Sequence, residues 1–128
     1  MVRRCQQRGL TAYVMDFLNL EFPTNSFDAV YALNCLLHVP EKDLSKALSI
    51  IQNMLKPRGL FYLGQYGGLK QEGVWPEDHY EPKRFFSFLP DEQIQEITAQ
   101  FFEILYFKQV SLERATDFHF QSMILRRN

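Results

Sequence analysis

The segment Phe27–Leu33 reads FDAVYAL and is apolar on both of its alternating faces after Asp28. A strand with this pattern is typical of a parallel sheet that helices cover on both sides. Residues 43–56 follow, with apolar side chains three and four positions apart, and predict an amphipathic helix. Residues 60–64 (LFYLG) then predict a second buried strand. A strand, a helix and a strand in this order predict an α/β sheet.

The residues upstream of this unit predict two further elements. Residues 2–8 have the polar composition of the last turns of a helix, and Gly9 is well placed to end it. Residues 11–15 predict a short strand that ends at Asp16. A polar connection rich in turn-forming residues then leads to Phe27.

The residues downstream predict a helix over 90–101, followed by two β-rich runs at 103–112 and 118–125. The charged stretch 113–117 separates these runs, which predicts an antiparallel hairpin. The connection 64–88 shows no helical period, and connections of this length often form lids or binding loops. The sheet is therefore predicted to be mixed, with parallel strands followed by an antiparallel pair.

The composition describes one globular domain of nearly neutral charge. The chain has 128 residues and a formal net charge of −1, which argues against a nucleic-acid-binding or membrane-surface protein. No apolar run reaches the roughly 18 residues that a membrane span requires. Cys5 and Cys35 have no spacing typical of a disulfide framework or a metal site, so we expect a reducing, cytoplasmic environment.

Several short motifs are recognisable through their order and spacing. They are MDF at 15–17, FP at 22–23, SFDAV at 26–30, LHVP at 37–40 and LKPRGLF at 55–61. From about Leu10 to its C-terminus, the chain resembles the latter part of the class I S-adenosylmethionine-dependent methyltransferases, the type 11 or UbiE-like group. The resemblance implies a Rossmann-like α/β sheet that ends in an antiparallel strand pair, and it implies S-adenosylmethionine as the cofactor.

The chain departs from the family pattern at its N-terminal end and at one turn. The glycine-rich G-x-G-x-G loop after the first strand and the acidic residue after the second strand are both missing from this sequence. Arg58 replaces the first glycine of the family's K-P-G-G turn, which costs little if this residue has a negative φ. The resemblance therefore implies a single partial domain, residues 1–128, that lacks the family's first two strands.

By resemblance, three residues would hold the cofactor at the strand ends. The Asp16 carboxylate would accept a hydrogen bond from the adenine amino group, the Phe17 N–H would face the ring, and Asn34 would lie near the methionine end. The carboxyl ends of parallel strands are also where α/β sheets bind ligands. The alternatives are a solvent-facing turn aspartate and a turn asparagine.

Other side chains are candidates for catalysis and substrate binding. His38 lies near the expected mouth of the site, where it would act as a general base or be a packed histidine. Tyr66, Trp75 and Arg84 lie in the long connection, where members of the family tend to place substrate contacts. The alternative is a packed surface loop. The other histidines lack metal-ligand spacing, so we assign no metal.

The missing strands leave the first predicted strand without its neighbours. In the family, two strands separate the strand that ends at Asp16 from the strand that begins at Phe27. We therefore expect the first strand to be poorly packed or to pair in another arrangement, and Phe27–Leu33 to be an exposed sheet edge. A second chain would cover this edge, and the isolated chain should bind S-adenosylmethionine weakly or not at all.

Three functions stay open from the sequence. The first is methyl transfer from S-adenosylmethionine to a small-molecule substrate, with this chain as the C-terminal part of a methyltransferase domain. The second is a non-catalytic methyltransferase-like remnant that binds another protein as a partner subunit. The third is another nucleotide-binding α/β domain.

Overall fold

The computed structural model describes residues 1–112 and 117–128. The strands are β1 (Phe27–Leu33), β2 (Leu55–Gly67), β3 (Gln71–Val74), β4 (Phe85–Phe88), β5 (Glu103–Val110) and β6 (His119–Arg126). The helices are α1 (Val2–Gln7), α2 (Glu41–Met54) and α3 (Asp91–Ala99), with a short 3-10 turn at Leu36–His38. Within the described residues, the main sheet has the order β1-β2-β6-β5, and β3 pairs with β4 in a smaller sheet.

β1 and β2 form the parallel unit that the sequence predicted. β1 has the predicted bounds, and it pairs in parallel with β2 from Ala29 opposite Leu60 to Leu33 opposite Gly64. α2 connects the two strands, as a crossover between parallel strands requires. β6 then pairs antiparallel with both β2 and β5. The mixed α/β sheet and its closing hairpin are therefore confirmed.

The hydrophobic core lies between one face of the sheet and helices α2 and α3. Leu48 of α2, Ile94 of α3, and Phe61 and Met123 of the sheet are all fully buried. The apolar spacing of three and four in each helix places these side chains on one stripe that faces the sheet. Burial of each side chain contributes roughly 1.5–3 kcal/mol. Helices α2 and α3 thus cover the face of the sheet that carries Phe61 and Met123.

The opposite face of the sheet, which we call the open face, presents apolar side chains to solvent. Tyr31, Tyr62, Ile124 and Tyr106 form one row across β1, β2, β6 and β5 as register partners. Tyr31 is 69% exposed, and its ring stacks on Tyr62 with centroids 4.9 Å apart. Ile124 and Tyr106 are exposed as well. The interpretation of β1 as a strand covered on both faces is therefore wrong within the described residues.

The segment before β1 differs from the prediction. α1 and the positive-φ Gly9 that follows it lie where the sequence placed them. Residues 11–16, however, form no strand. A parallel strand needs a neighbour and a crossover of a dozen or more residues, and none of the described strands pairs with the outer edge of β1. Phe17 and Leu18 instead pack against the margin of the core. The expectation that β1 is an exposed sheet edge is confirmed.

The connection 64–88 contains more regular structure than the sequence predicted. β2 continues to Gly67, and β3 pairs antiparallel with β4 from Gln71 opposite Phe88 to Val74 opposite Phe85. This hairpin holds residues 75–84 as a loop at the end of the main sheet. The long connection is therefore a small hairpin rather than an irregular segment.

Two further expectations concern the closing hairpin and the helices. Most of the charged stretch expected between β5 and β6, residues 113–116, lies outside the described residues. In the described parts of the chain, no helix is both long and apolar enough to cross a membrane.

The turn inside β2 contains an arginine in a left-handed conformation. Arg58 has φ +65°, so the condition under which this residue would cost little is not met. Its backbone N–H donates to the Arg127 carbonyl oxygen at 2.9 Å, and the Arg127 N–H donates to the Gly59 carbonyl oxygen at 2.9 Å. These bonds hold the turn in a conformation that costs a residue with a Cβ about 1–2 kcal/mol.

Candidate functional site

A cavity of about 330 Å³, which we call the strand-end cavity, lies beside the 3-10 turn that follows β1. Asp16, Phe17 and His38 all line it, so the structure brings together residues that the sequence assigned to cofactor binding and to catalysis. Asp16 Oδ1 accepts a hydrogen bond from the Leu18 N–H at 2.8 Å. The other carboxylate oxygen has no hydrogen-bond partner among the described residues. Asp16 therefore has the geometry of a turn aspartate and keeps one acceptor for a ligand.

Asn34 is not among the described residues that line the strand-end cavity. It follows β1 with φ +51°, a conformation that asparagine adopts more readily than most residues. Its backbone N–H donates to the Gly64 carbonyl oxygen at 2.7 Å, which continues the pairing of β1 with β2. Its side chain is exposed. The local geometry of Asn34 is thus that of a turn residue next to the cavity-forming segment.

His38 is held by the β3–β4 hairpin. Its Nδ1 lies 2.7 Å from the Phe85 carbonyl oxygen. Because a carbonyl oxygen only accepts, Nδ1 carries the proton, and the neutral ring then keeps the Nε2 lone pair. The ring also contacts Phe86, with centroids 4.7 Å apart. His38 is therefore oriented by packing and by one hydrogen bond, while Nε2 has the chemistry of a proton acceptor.

A second cavity, which we call the aromatic cavity, lies between the end of β2 and the β3–β4 hairpin. Its volume is about 400 Å³, and its lining includes Tyr66, Trp75 and Arg84, the three residues that the sequence proposed for substrate contact. Phe86 and Phe88 also line it, and their rings stack with centroids 5.4 Å apart. His38, which lines the strand-end cavity, contacts Phe86 of this wall.

Arg84 is fixed by an ion pair inside the loop between β3 and β4. Its Nη2 and Nε donate to the two carboxylate oxygens of Asp78 at 2.9 and 3.0 Å, and its backbone N–H donates to Asp78 as well. These hydrogen bonds from Arg84 hold the pKa of Asp78 well below its usual range. The guanidinium also lies over the Tyr80 ring, 4.3 Å from its centroid. Asp78 thus neutralises the charge of Arg84 in the wall of the aromatic cavity.

Several lining residues were missed by the sequence analysis. Phe118 begins the second of the two β-rich runs that the sequence predicts, and in the structure it lines the aromatic cavity next to Phe88, with ring centroids 4.8 Å apart. The sequence does not predict that Asp78 pairs with Arg84, because the two residues are six positions apart in an irregular loop. The alternation in FFSF (residues 85–88) was the available signal, since it indicates a strand with one aromatic face.

A polar cluster at the start of α3 was also missed. Asp91 accepts hydrogen bonds from His119 Nε2 at 2.7 Å and from Gln121 Nε2 at 2.9 Å. Burial opposes ionisation of Asp91, but these hydrogen bonds outweigh it and hold its pKa below the ordinary value. Gln121 is fully buried and also donates to the Leu89 carbonyl oxygen at 2.9 Å. The cluster attaches the start of α3 to the sheet.

The N-terminal half of the sequence is similar to a known protein family. A family model described as a methyltransferase domain matches residues 1–63, just under half of the chain. A sterol 24-C-methyltransferase of Gibberella zeae is 34% identical over 113 residues. That alignment covers 80% of this chain and 28% of the relative. The chain therefore spans little more than a quarter of that relative's length.

Solved structures extend the likeness to nearly the whole chain. A 1,6-didemethyltoxoflavin N1-methyltransferase from Burkholderia thailandensis has a TM-score of 0.75 at 18% identity, over 98% of this chain and 55% of that one. The (4+2)-cyclase SpnF also has a TM-score of 0.75, at 20% identity, over 98% and 60% of the two chains. At such identities the structures establish the fold alone. One fold that serves both a methyltransferase and a cyclase leaves the reaction to be argued from the site.

Proposed function

The chain carries part of a class I S-adenosylmethionine-dependent methyltransferase domain, and we propose that this part takes up a small-molecule acceptor for methyl transfer. The sequence motifs and the family-model match support this proposal. Two of the matched proteins are named for methylation of small molecules, a sterol and 1,6-didemethyltoxoflavin. The observation that carries the proposal is that His38 lines the strand-end cavity and contacts Phe86, which lines the aromatic cavity.

S-adenosylmethionine fits the residues of this chain in part. Asp16 lines the strand-end cavity and has one carboxylate oxygen without a partner among the described residues, and Phe17 lines the same cavity, which suits the adenine end of the cofactor. Asn34 follows β1, and we propose that it faces the methionine end. The sequence lacks the glycine-rich turn that lets backbone approach a cofactor closely, so we propose weak binding by this chain alone. When bound, the cofactor supplies an activated methyl group on a sulfonium.

The chain's own residues would align the acceptor and take up its proton. Methyl transfer depends mainly on alignment and on exclusion of water, and the rings of the aromatic cavity supply an apolar wall for both. Tyr66, Trp75 and Arg84 are the proposed acceptor contacts. His38 is the proposed general base, acting through Nε2, because Nδ1 is committed to the Phe85 carbonyl oxygen.

A second polypeptide that covers the outer edge of β1 completes the proposal. None of the described strands pairs with this edge, and an unpaired strand edge is a template for another strand. Such a polypeptide would also supply the glycine-rich loop that this sequence lacks. The matches reported above do not support the alternative of a non-catalytic remnant that acts as a partner subunit.

An NMR titration of the isotope-labelled chain with S-adenosylhomocysteine tests this assignment. We expect shift changes confined to residues 15–18, to Asn34 and to residues 38–40, with a dissociation constant on the order of 1 mM, equivalent to about 4 kcal/mol. Asp16→Ala should weaken binding by at least about 10-fold, because a hydrogen bond to a charged group contributes roughly 1.5–3 kcal/mol and each 1.4 kcal/mol is about tenfold.

Asp28→Ala is the matched control for Asp16→Ala. Asp28 is an exposed acid at the opposite end of β1, where it pairs with Lys56 at 3.2 Å. This variant should bind as the unaltered chain does. Shift changes located elsewhere, or none at roughly 10 mM ligand, would contradict the cofactor assignment. Tight binding near 1 μM, about 8 kcal/mol, would instead contradict the prediction that this sequence lacks part of the cofactor site.

A further inference from the structure

We infer that the aromatic cavity binds a neutral, largely apolar ring compound, and that the Asp78–Arg84 ion pair excludes anionic ligands from it. The inference deepens the proposed function by naming the class of acceptor. It rests on that function only for the ligand's role in methyl transfer, since the binding itself follows from the cavity walls.

The size and walls of the cavity suit a ring compound. Its volume of about 400 Å³ lies within the range of about 300–1,000 Å³ that is typical of small-molecule sites. Trp75 contacts Phe88 edge to face at a centroid distance of 5.8 Å, and Phe118 at 6.4 Å. Tyr66 closes the side formed by β2. These interlocked rings form a preformed apolar surface, which favours flat or fused-ring ligands over flexible ones.

The charges of the cavity disfavour an anion. Among the described lining residues, Arg84 is the only permanent cation, and Asp78 neutralises it through two side-chain hydrogen bonds. The Asp78 side chain is only 4% exposed, so an incoming phosphate or carboxylate could not displace it into water without moving the loop. Such an anion would therefore meet the Asp78 carboxylate and gain no free permanent cation among the described lining residues.

An organic cation is disfavoured for a different reason. A cation–π site needs an open ring face. The Arg84 guanidinium already lies over Phe86, 5.2 Å from its centroid, and over Tyr80. A second cation would find the faces of these two rings already occupied by the guanidinium. Glu77 is exposed at the rim, so water and salt screen its charge.

The sole tryptophan of the chain gives a direct reading of this cavity. Because Trp75 is the only tryptophan and lines the cavity, a bound ligand should change the protein's tryptophan fluorescence. The probes are dehydroepiandrosterone, a neutral steroid alcohol, and its 3-sulfate, which adds one negative charge to the same ring system. We expect the neutral steroid to bind at least about 10-fold more tightly than the sulfate, a difference of about 1.4 kcal/mol.

Two loop variants test the role of the ion pair. Asp78→Asn releases the Arg84 charge and should raise the relative affinity for the sulfate about 10-fold. Arg84→Gln removes the cation and should leave the preference for the neutral steroid in place. Glu81→Gln is the matched control, because Glu81 is an exposed acid of the same loop that pairs with Lys83 at 3.0 Å and is not among the described lining residues. Circular dichroism establishes that each variant folds.

Each outcome decides for or against the inference. Equal affinity for the two steroids, tighter binding of tetramethylammonium, an unchanged ratio in Asp78→Asn, or no fluorescence response to either steroid would overturn it. The titration contains no S-adenosylmethionine. If the steroid binds but is never methylated, the proposed function fails while the cavity assignment stands. If another compound is methylated and no steroid binds, the cavity assignment fails while the proposed function stands.

Discussion

Arg58 offers a direct measurement of backbone strain in this fold. Its φ of +65° lies in the left-handed region, where a residue with a Cβ costs about 1–2 kcal/mol relative to glycine. Glycine at this position would lose more conformational freedom on folding, which costs about 0.5–1 kcal/mol. The difference predicts that Arg58→Gly raises the free energy of unfolding by about 0.5–1 kcal/mol. The backbone hydrogen bond to Arg127 is unaffected, since it uses the main-chain N–H.

Urea denaturation of the purified chain measures this change, and Arg58→Ala is the matched control. The alanine variant removes the exposed arginine side chain but keeps the Cβ and therefore the strain. We expect it to stay within about 0.5 kcal/mol of the unaltered chain. If the glycine variant were no more stable than the alanine variant, the strain argument would be refuted. An equal gain in both would assign the effect to the side chain instead of the backbone.

Four further substitutions test other parts of the structure. Gly67→Ala should lower the free energy of unfolding by roughly 2–4 kcal/mol in urea, because its Cβ would lie 2.5 Å from Oε1 of the buried Gln121; no loss would contradict this. The pKa of Asp91 is lowered in the folded state, so its stabilisation is complete above about pH 4 and is lost as the pH falls through the folded value. In urea titrations, the free energy of unfolding of Asp91→Asn should therefore change less with falling pH than that of the unaltered chain. An equally steep change would contradict the proposed stabilisation by ionised Asp91. Leu48→Ala should cost about 2–5 kcal/mol, since Leu48 is fully buried; a cost below about 1 kcal/mol would place it outside the core. Tyr31→Lys should lower the free energy of unfolding by about 0.5–1.5 kcal/mol in urea, because it removes the stack of Tyr31 on Tyr62, and an unchanged free energy would show that this stack does not stabilise the sheet.

The fold could be predicted where local pattern and tertiary contact agree. FDAVYAL at 27–33 is a strand with the predicted bounds, because β2 is available to pair with it in parallel. Residues 11–16 have a comparable strand pattern but no neighbour, and strand pairing is a property of two segments. Coverage of a sheet face also depends on other segments, which explains why the apolar pattern of β1 wrongly predicted helices on both of its faces.

The candidate site could be predicted only as separate residues. Resemblance brought out Asp16 and His38 individually, but their shared cavity depends on how the segment before β1 packs after leaving the sheet. Arg84 was recognised as a possible substrate contact, whereas its neutralisation by Asp78 requires the loop to fold back over six residues. Such an ion pair removes the preference of an arginine for anionic ligands, and no local sequence pattern predicts the pairing.

The open face also bears on how this chain survives in a cell. Chaperones and proteases recognise unfolded proteins by exposed apolar surface and unpaired strand edges, and the described residues of this chain display both in the folded state. Quality control would therefore distinguish folded from misfolded molecules less sharply here than in a protein with a covered sheet. If the proposed second polypeptide covers the β1 edge, the steady-state amount of the chain would follow the supply of that polypeptide more closely than its own free energy of unfolding.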